Sequence, residues 1–164
     1  MKKIVLTRNQ ITIVDNNDFE RLNRYKWQTA GRNKLYGKRT TAKGDLYIHR
    51  VIMNAHDGEE IDHINGNTLD NRKSNLRICT HAENIRNKKS KSKTTGFKGV
   101  TYLRDPWRKS KYRARVRVNG IVHYSKCFPT AIEAAKEYDV MARRFHGKFC
   151  SLNFPTNSGQ GVFA

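Results

Sequence analysis

The chain has 164 residues, 37% of them aliphatic or aromatic, and 33 Lys and Arg stand against 14 Asp and Glu. That length admits one ordinary domain or two small ones, and so low an apolar share argues against a single well-filled core. The formal net charge of +19 attracts polyanions, while the absence of a membrane-length apolar run and of a secretory signal at Met1–Lys3 leads us to expect a soluble, cytoplasmic partner of nucleic acid rather than a membrane protein.

Lys2–Thr7 and Gln10–Val14 are rich in β-branched residues and predict a hairpin turning at Arg8-Asn9. Asn17 followed by Glu20 predicts the start of a short helix reaching about Tyr25. Leu35–Thr41 and Leu46–His49 flank Lys43-Gly44-Asp45 as a second hairpin, and Arg50–Asn54 reads as a helical turn. Glu60–Ile64 then predicts a strand, the Asn- and Asp-rich 65–75 stretch a loop, and Leu76–Cys79 a second strand. Thr80-His81-Ala82-Glu83 has the form of a capping box and predicts a helix from Thr80 to about Lys88. Lys88–Thr95 carries nothing that packs and reads as a basic extended linker. Gly99–Tyr102, Lys111–Val118 and Ile121–Phe128 predict three antiparallel strands, with Asn119-Gly120 the strongest hairpin signal in the chain. Thr130 and Glu133 open a helix whose apolar face is Ala134, Ala135, Tyr138, Met141, Ala142 and Phe145, and Gly147 ends it.

The charge is unevenly spread. Residues 58–84 carry a net −2, whereas residues 1–57, 85–93 and 94–164 carry +7, +5 and +9. An acidic island in a basic protein suits a divalent cation held beside a phosphate. Phosphodiester hydrolysis needs a base for water, a cation for the crowded phosphate and groups that hold both in line. Asp62 is a hard oxygen ligand next to His63, and a neutral imidazole serves as a base near pH 7. Adjacent strand residues face opposite ways, so the two can share a site only at a strand end or kink, which the loop from Asn65 supplies. Asn84, in the first turn of the following helix, can reach a cation held by Asp62. His81 and, more weakly, Asn87 are rival ligands. Cys79, Cys127 and Cys150 are far apart and are expected as free thiols. A structural zinc set of Cys79, His81 and His63 lacks a fourth ligand. His49, His56, His123 and His146 have no partners in sequence and read as structural or surface residues.

The Asp62-His63 pair, Asn75-Leu76-Arg77 entering the second strand, and Asn84 nine residues after Asn75 together resemble the HNH motif of ββα-metal homing endonucleases of phages and introns. The resemblance implies that Asp62 and Asn84 ligate one divalent ion, Mg²⁺ or Mn²⁺. It implies His63 as general base, with Asn75 making loop hydrogen bonds that position it. It also implies 5′-phosphate and 3′-hydroxyl ends.

Residues 96–155 resemble the Apetala-two DNA-binding domain of plant ethylene-response factors. The matching pieces are Lys98-Gly99-Val100, Tyr112-Arg113-Ala114-Arg115-Val116, Ala134-Ala135 with Tyr138-Asp139, and Leu152-Asn153-Phe154-Pro155. On the middle strand Arg113, Arg115 and Arg117 alternate with Ala114, Val116 and Val118, which puts three arginines on one face. Arg104 and Tyr124 extend that face, and Lys88, Lys89, Lys91, Lys93 and Lys98 track phosphates beside it. Thr101, Leu103 and Val122 stand where the plant domains carry basic readers, which favours phosphate anchoring over base reading.

The expected fold is therefore α+β. A small β-rich region (1–57) leads into an HNH module (58–89), a basic linker (90–95), a three-stranded antiparallel sheet packed on one helix (96–155) and a tail (156–164). The expected function is metal-dependent cleavage of double-stranded DNA by a monomer, with a homodimer open and no membrane partner. The alternative is a non-catalytic DNA-binding regulator with a vestigial HNH fold.

Overall fold

The structure is a computed structural model and describes residues 1–155; the expected tail, 156–164, lies outside them. The chain is α+β and divides into two compact units, Met1–Asn87 and Lys88 onward.

In the first unit β1 (Lys2–Val5) and β2 (Ile11–Val14) form the expected hairpin. Arg8 and Asn9 take φ of 58° and 53°, the left-handed pair that a tight hairpin turn demands. Helix α1 (Asn16–Asn23) is entered at Asp15, two residues before the expected cap Asn17. Asp15 occupies its cap position but makes no cap bond, because its carboxylate accepts the Lys73 amide at 2.8 Å. β3 (Gln28–Ala30), β4 (Tyr36–Thr41) and β5 (Gly44–Tyr47) make a three-stranded sheet in the order β3-β4-β5. β3 has no counterpart in the expected elements, since Gln-Thr-Ala is short and carries no apolar alternation. The hairpin turn centres on Ala42-Lys43, earlier than expected, since Thr41 pairs with Gly44. α2 (Ile48–Met53) follows, capped by Asn54 in the left-handed region.

These pieces bury Ile4, Leu6, Val14, Leu22, Trp27, Ile48 and Ile52 in one cluster, which also contains Leu76. Leu76 opens β7, so the acidic segment rests on the core of the first 57 residues. Burying each such side chain contributes about 1.5–3 kcal/mol before chain entropy is subtracted. The Arg50 guanidinium, on α2, donates to the Glu59 and His56 carbonyls at 2.7 Å each. That fixes the entry to β6 (Glu60–His63), which pairs antiparallel with β7 (Leu76–Cys79). A 3₁₀ turn at Lys73–Asn75 closes the intervening loop. Thr80 and Glu83 form the expected capping box, and α3 (His81–Asn87) follows.

In the second unit β8 (Val100–Tyr102), β9 (Tyr112–Val118) and β10 (Ile121–Phe128) form an antiparallel sheet in the order β10-β9-β8. Asn119 and Gly120, with φ of 49° and 84°, make its tight turn. α4 (Ala131–His146), opened by the Thr130–Glu133 capping box, lays Ala134, Ala135, Tyr138, Met141 and Ala142 against the sheet. The small residues let the backbones approach closely. At Gly99, φ is +69° and a Cβ would stand 2.0 Å from the Tyr138 ring, so only glycine fits. Buried Asp139 accepts the Asn153 and Phe154 amides at 2.8 Å each and ties the 152–155 segment to the helix. Residues 88–95 belong to this unit, where Ser92 and Gly96 make turn bonds with Phe97 and Ser92.

Candidate active site

The end of β6 presents side chains to both sides of the two-stranded sheet. Glu60 and Asp62, two residues apart, share the face that α3 covers. Asp62 is 5% exposed. Its Oδ2 accepts Arg77 Nε at 2.8 Å, directly across the ladder, and its Oδ1 accepts Asn87 Nδ2 at 2.9 Å. Glu60 accepts Asn84 Nδ2 at 2.7 Å and His81 Nδ1 at 2.6 Å. The structure therefore brings Asn87 to Asp62 and Asn84 to the neighbouring carboxylate. The Asn87 amide also donates to the His63 and Ile64 carbonyls, at 3.2 and 3.3 Å. His81 is mostly exposed, as its capping-box position implies, yet still reaches Glu60.

His63 turns to the other side and is 5% exposed. Its Nε2 lies 3.1 Å from Asn71 Oδ1. Its Nδ1 makes no hydrogen bond among the described residues. Burial pushes the imidazole below its ordinary pKa, against the opposing pull of the Asn71 hydrogen bond and the Asp62 and Asp70 charges. The ring is therefore neutral near pH 7. Asn75, also 5% exposed, crosslinks the loop that follows. Its Oδ1 accepts the Asn65 amide at 3.0 Å, its Nδ2 donates to the Asp70 carbonyl at 2.7 Å, and its own carbonyl accepts the Ile64 amide at 2.9 Å.

His49 reads from sequence as a structural or surface residue, but the fold sets it beside the site. Its ring centre lies 5.3 Å from that of His63, edge to face, within a cluster completed by Tyr36 and Tyr47. Burial first, then the charges of His63 and Arg50, push His49 down to about 3. A lone His in sequence carries no signal of such a neighbour. Asn71 and Arg77 lie inside the motif segment, but their partners are visible only in three dimensions.

The carboxylates of Glu60 and Asp62 are hard oxygen donors of the kind Mg²⁺ prefers, while the Asn84 and Asn87 amides turn their nitrogens to them, so each amide must turn over to offer an ion its oxygen. Among the described residues no three His, Cys, Asp or Glu side chains converge as a metal group. An ion held by these few protein oxygens would need phosphate and water to complete its coordination. The three cysteines are free, and burial raises the Cys79 thiol to about 11, which disfavours thiolate ligation.

In the second unit Arg115 and Arg117 are exposed and Arg113 half-buried, all opposite the buried Ala114 and Val116. Arg113 lies over the exposed Tyr124 ring at 3.9 Å. Arg104 and Arg115 border a cleft of about 410 Å³ with Lys91, Thr101 and Tyr102. Lys88, Lys89, Lys91 and Lys93 are exposed. Lys98 differs, since its ammonium donates to the Lys88 carbonyl at 2.7 Å and burial lowers it to about 8.

Residues 46–86 match the family model described as HNH endonuclease. A protein of Acanthamoeba polyphaga mimivirus, described as an uncharacterized HNH endonuclease, is 32% identical over 139 residues, covering 78% of this chain and 71% of that protein. The chain belongs to the HNH endonuclease family. HNH endonucleases generally use a divalent metal ion, and the matched span contains His49, Glu60, Asp62, His63, Asn71, Asn75, Arg77 and Asn84. An ethylene-responsive transcription factor of Arabidopsis thaliana is 39% identical over 69 residues, covering 42% of this chain but only 26% of its own length. No solved structure matches the chain significantly.

Proposed function

We propose that this HNH endonuclease hydrolyses phosphodiester bonds in duplex DNA with one Mg²⁺ or Mn²⁺ ion, in the manner of homing-type enzymes. The observation that carries the reading is the end of β6. There a buried carboxylate facing helix amides adjoins a buried neutral imidazole whose Nδ1 makes no hydrogen bond among the described residues. Asp62, with the Asn84 amide and neighbouring Glu60 and Asn87, would hold the ion. The ion, when bound, would supply Lewis acidity at the phosphate and the leaving oxygen. His63 Nδ1 takes the proton from the attacking water. Asn75 fixes the loop after His63, so the ring meets the phosphate without reorganising. Hydrolysis leaves 5′-phosphate and 3′-hydroxyl ends.

The second unit is an Apetala-two-like DNA-binding domain. It holds duplex DNA through Arg104, Arg113, Arg115, Arg117 and Tyr124, with Lys88, Lys89, Lys91 and Lys93 on phosphates. Three arginines on one sheet face without an intervening acid support that role. Lys98 serves structure more than contact, given its bond to Lys88. The protein acts as a monomer, and a single site then nicks one strand per encounter.

One observation favours a non-catalytic regulator: Arg77 already neutralises Asp62. Incubation with supercoiled plasmid separates the two. Conversion to nicked or linear DNA in Mg²⁺ and none in EDTA supports cleavage. Retained binding with no conversion in Mg²⁺ or Mn²⁺ supports the regulator.

A further inference from the structure

His63 Nε2 and Asn71 Oδ1 begin a chain of hydrogen bonds that runs through Thr12 to the Leu69 carbonyl. Asn71 Nδ2 lies 2.7 Å from Thr12 Oγ1, and Thr12 Oγ1 lies 2.8 Å from the Leu69 carbonyl oxygen. The carbonyl can only accept, so the single hydroxyl hydrogen of Thr12 points at Leu69. Thr12 Oγ1 must then accept from Asn71, which places the NH₂ of that amide toward Thr12 and its oxygen toward His63. A reversed amide would make Thr12 turn its hydroxyl hydrogen from Leu69 to Asn71, breaking the Thr12–Leu69 bond in a site where Thr12 is 0% and Asn71 1% exposed. His63 must donate through Nε2. In the neutral ring that leaves the lone pair on Nδ1, the nitrogen with no partner among the described residues.

The backbone holds the chain in register. β2 docks in parallel on the 69–71 segment, where Ile13 N donates to the Leu69 carbonyl at 2.9 Å and Asn71 N to the Ile13 carbonyl at 2.8 Å. Thr12 lies outside the span that matches the family model. The amino-terminal hairpin therefore contributes a side chain to the positioning of a residue 51 positions away in sequence.

From this geometry we infer that Asn71 and Thr12 are positioning residues that set the tautomer of His63, with the hydrogen on Nε2 and Nδ1 left as the base. The inference rests on the proposed role of His63 for its effect on rate, but the tautomer itself is measurable without DNA or metal. Nitrogen-15 NMR of the metal-free full chain at pH 8 reads it directly, since protonated and unprotonated ring nitrogens resonate far apart. The wild type is expected to show a protonated Nε2 and a bare Nδ1 at His63. Thr12→Ser keeps the hydroxyl and should keep that spectrum. Thr12→Val removes it, frees the Asn71 amide to turn over, and should give a second population protonated on Nδ1. Asn71→Leu removes the acceptor and should lower kcat on plasmid by about ten- to a hundredfold, with KM changed far less. Wild-type protonation on Nδ1, or identical His63 spectra for Thr12→Val and Thr12→Ser, overturns the inference even where Asn71→Leu fails to fold. Should the spectra follow expectation while the wild type cuts nothing, the cleavage reading falls and the tautomer assignment stands.

Discussion

Replacing His49 by Phe keeps an aromatic ring against Tyr36 and Tyr47 and removes a titrating group held at about 3 in the fold. In the unfolded chain that imidazole titrates near its ordinary value of 6.5. Between those two values the unfolded chain binds the extra proton, so stability falls as pH drops from 6.5 toward 3. Integrating that linkage for one group, the wild type should lose about 2 kcal/mol between pH 7 and pH 5 through His49. The figure depends little on the folded value, because a group titrating about one unit higher is still mostly neutral at pH 5. Urea unfolding of both proteins at the two pH values measures it. The wild type should lose about 2 kcal/mol more than His49→Phe over that interval. Equal losses would show that His49 accepts its proton freely in the folded state, and the placing of His49 against His63 would then be wrong.

Arg77→Met leaves the buried Asp62 carboxylate without its counter-ion. In EDTA this should cost about 3 kcal/mol in urea unfolding. Added Mg²⁺ should restore part of that stability, and a variant as stable as wild type in EDTA would argue that the pair is open to water. Arg115→Ala combined with Arg117→Ala removes two exposed cations from the sheet face. DNA affinity should fall, and the slope of log K against log salt should flatten by about 0.9 for each phosphate that is no longer neutralised. An unchanged salt slope in a fluorescence-anisotropy titration would remove this face from the DNA interface.

Much of the fold was legible because its signals are local. The Arg8-Asn9 and Asn119-Gly120 turns need residues that tolerate positive φ, and both capping boxes are four-residue patterns. The alternation of arginine with Ala114 and Val116 on β9 marks which face α4 covers. What escaped was set by partners distant in the chain. β3 has no apolar alternation and exists because Gly37 and Lys38 of β4 offer it an edge. Asp15 leaves its capping role for an amide 58 residues on. Within the site, Asp62, His63 and Asn75 could be singled out by residue type and spacing. The pairing of Asn87 with Asp62 and Asn84 with Glu60 depends on how α3 packs over β6, which spacing alone does not decide. His49 and Thr12 carry no chemical mark in sequence, and only the shared core brings them to His63.

The central claim is that His63 is the base of a metal-dependent DNA-cleaving site. It is tested most directly by the single-turnover rate of His63→Ala beside wild type, in Mg²⁺ on one plasmid, with DNA binding measured on the same samples. The variant should bind as the wild type does and cut at least about a hundredfold more slowly, the usual contribution of a positioned base. Equal cutting rates at equal binding would contradict the claim.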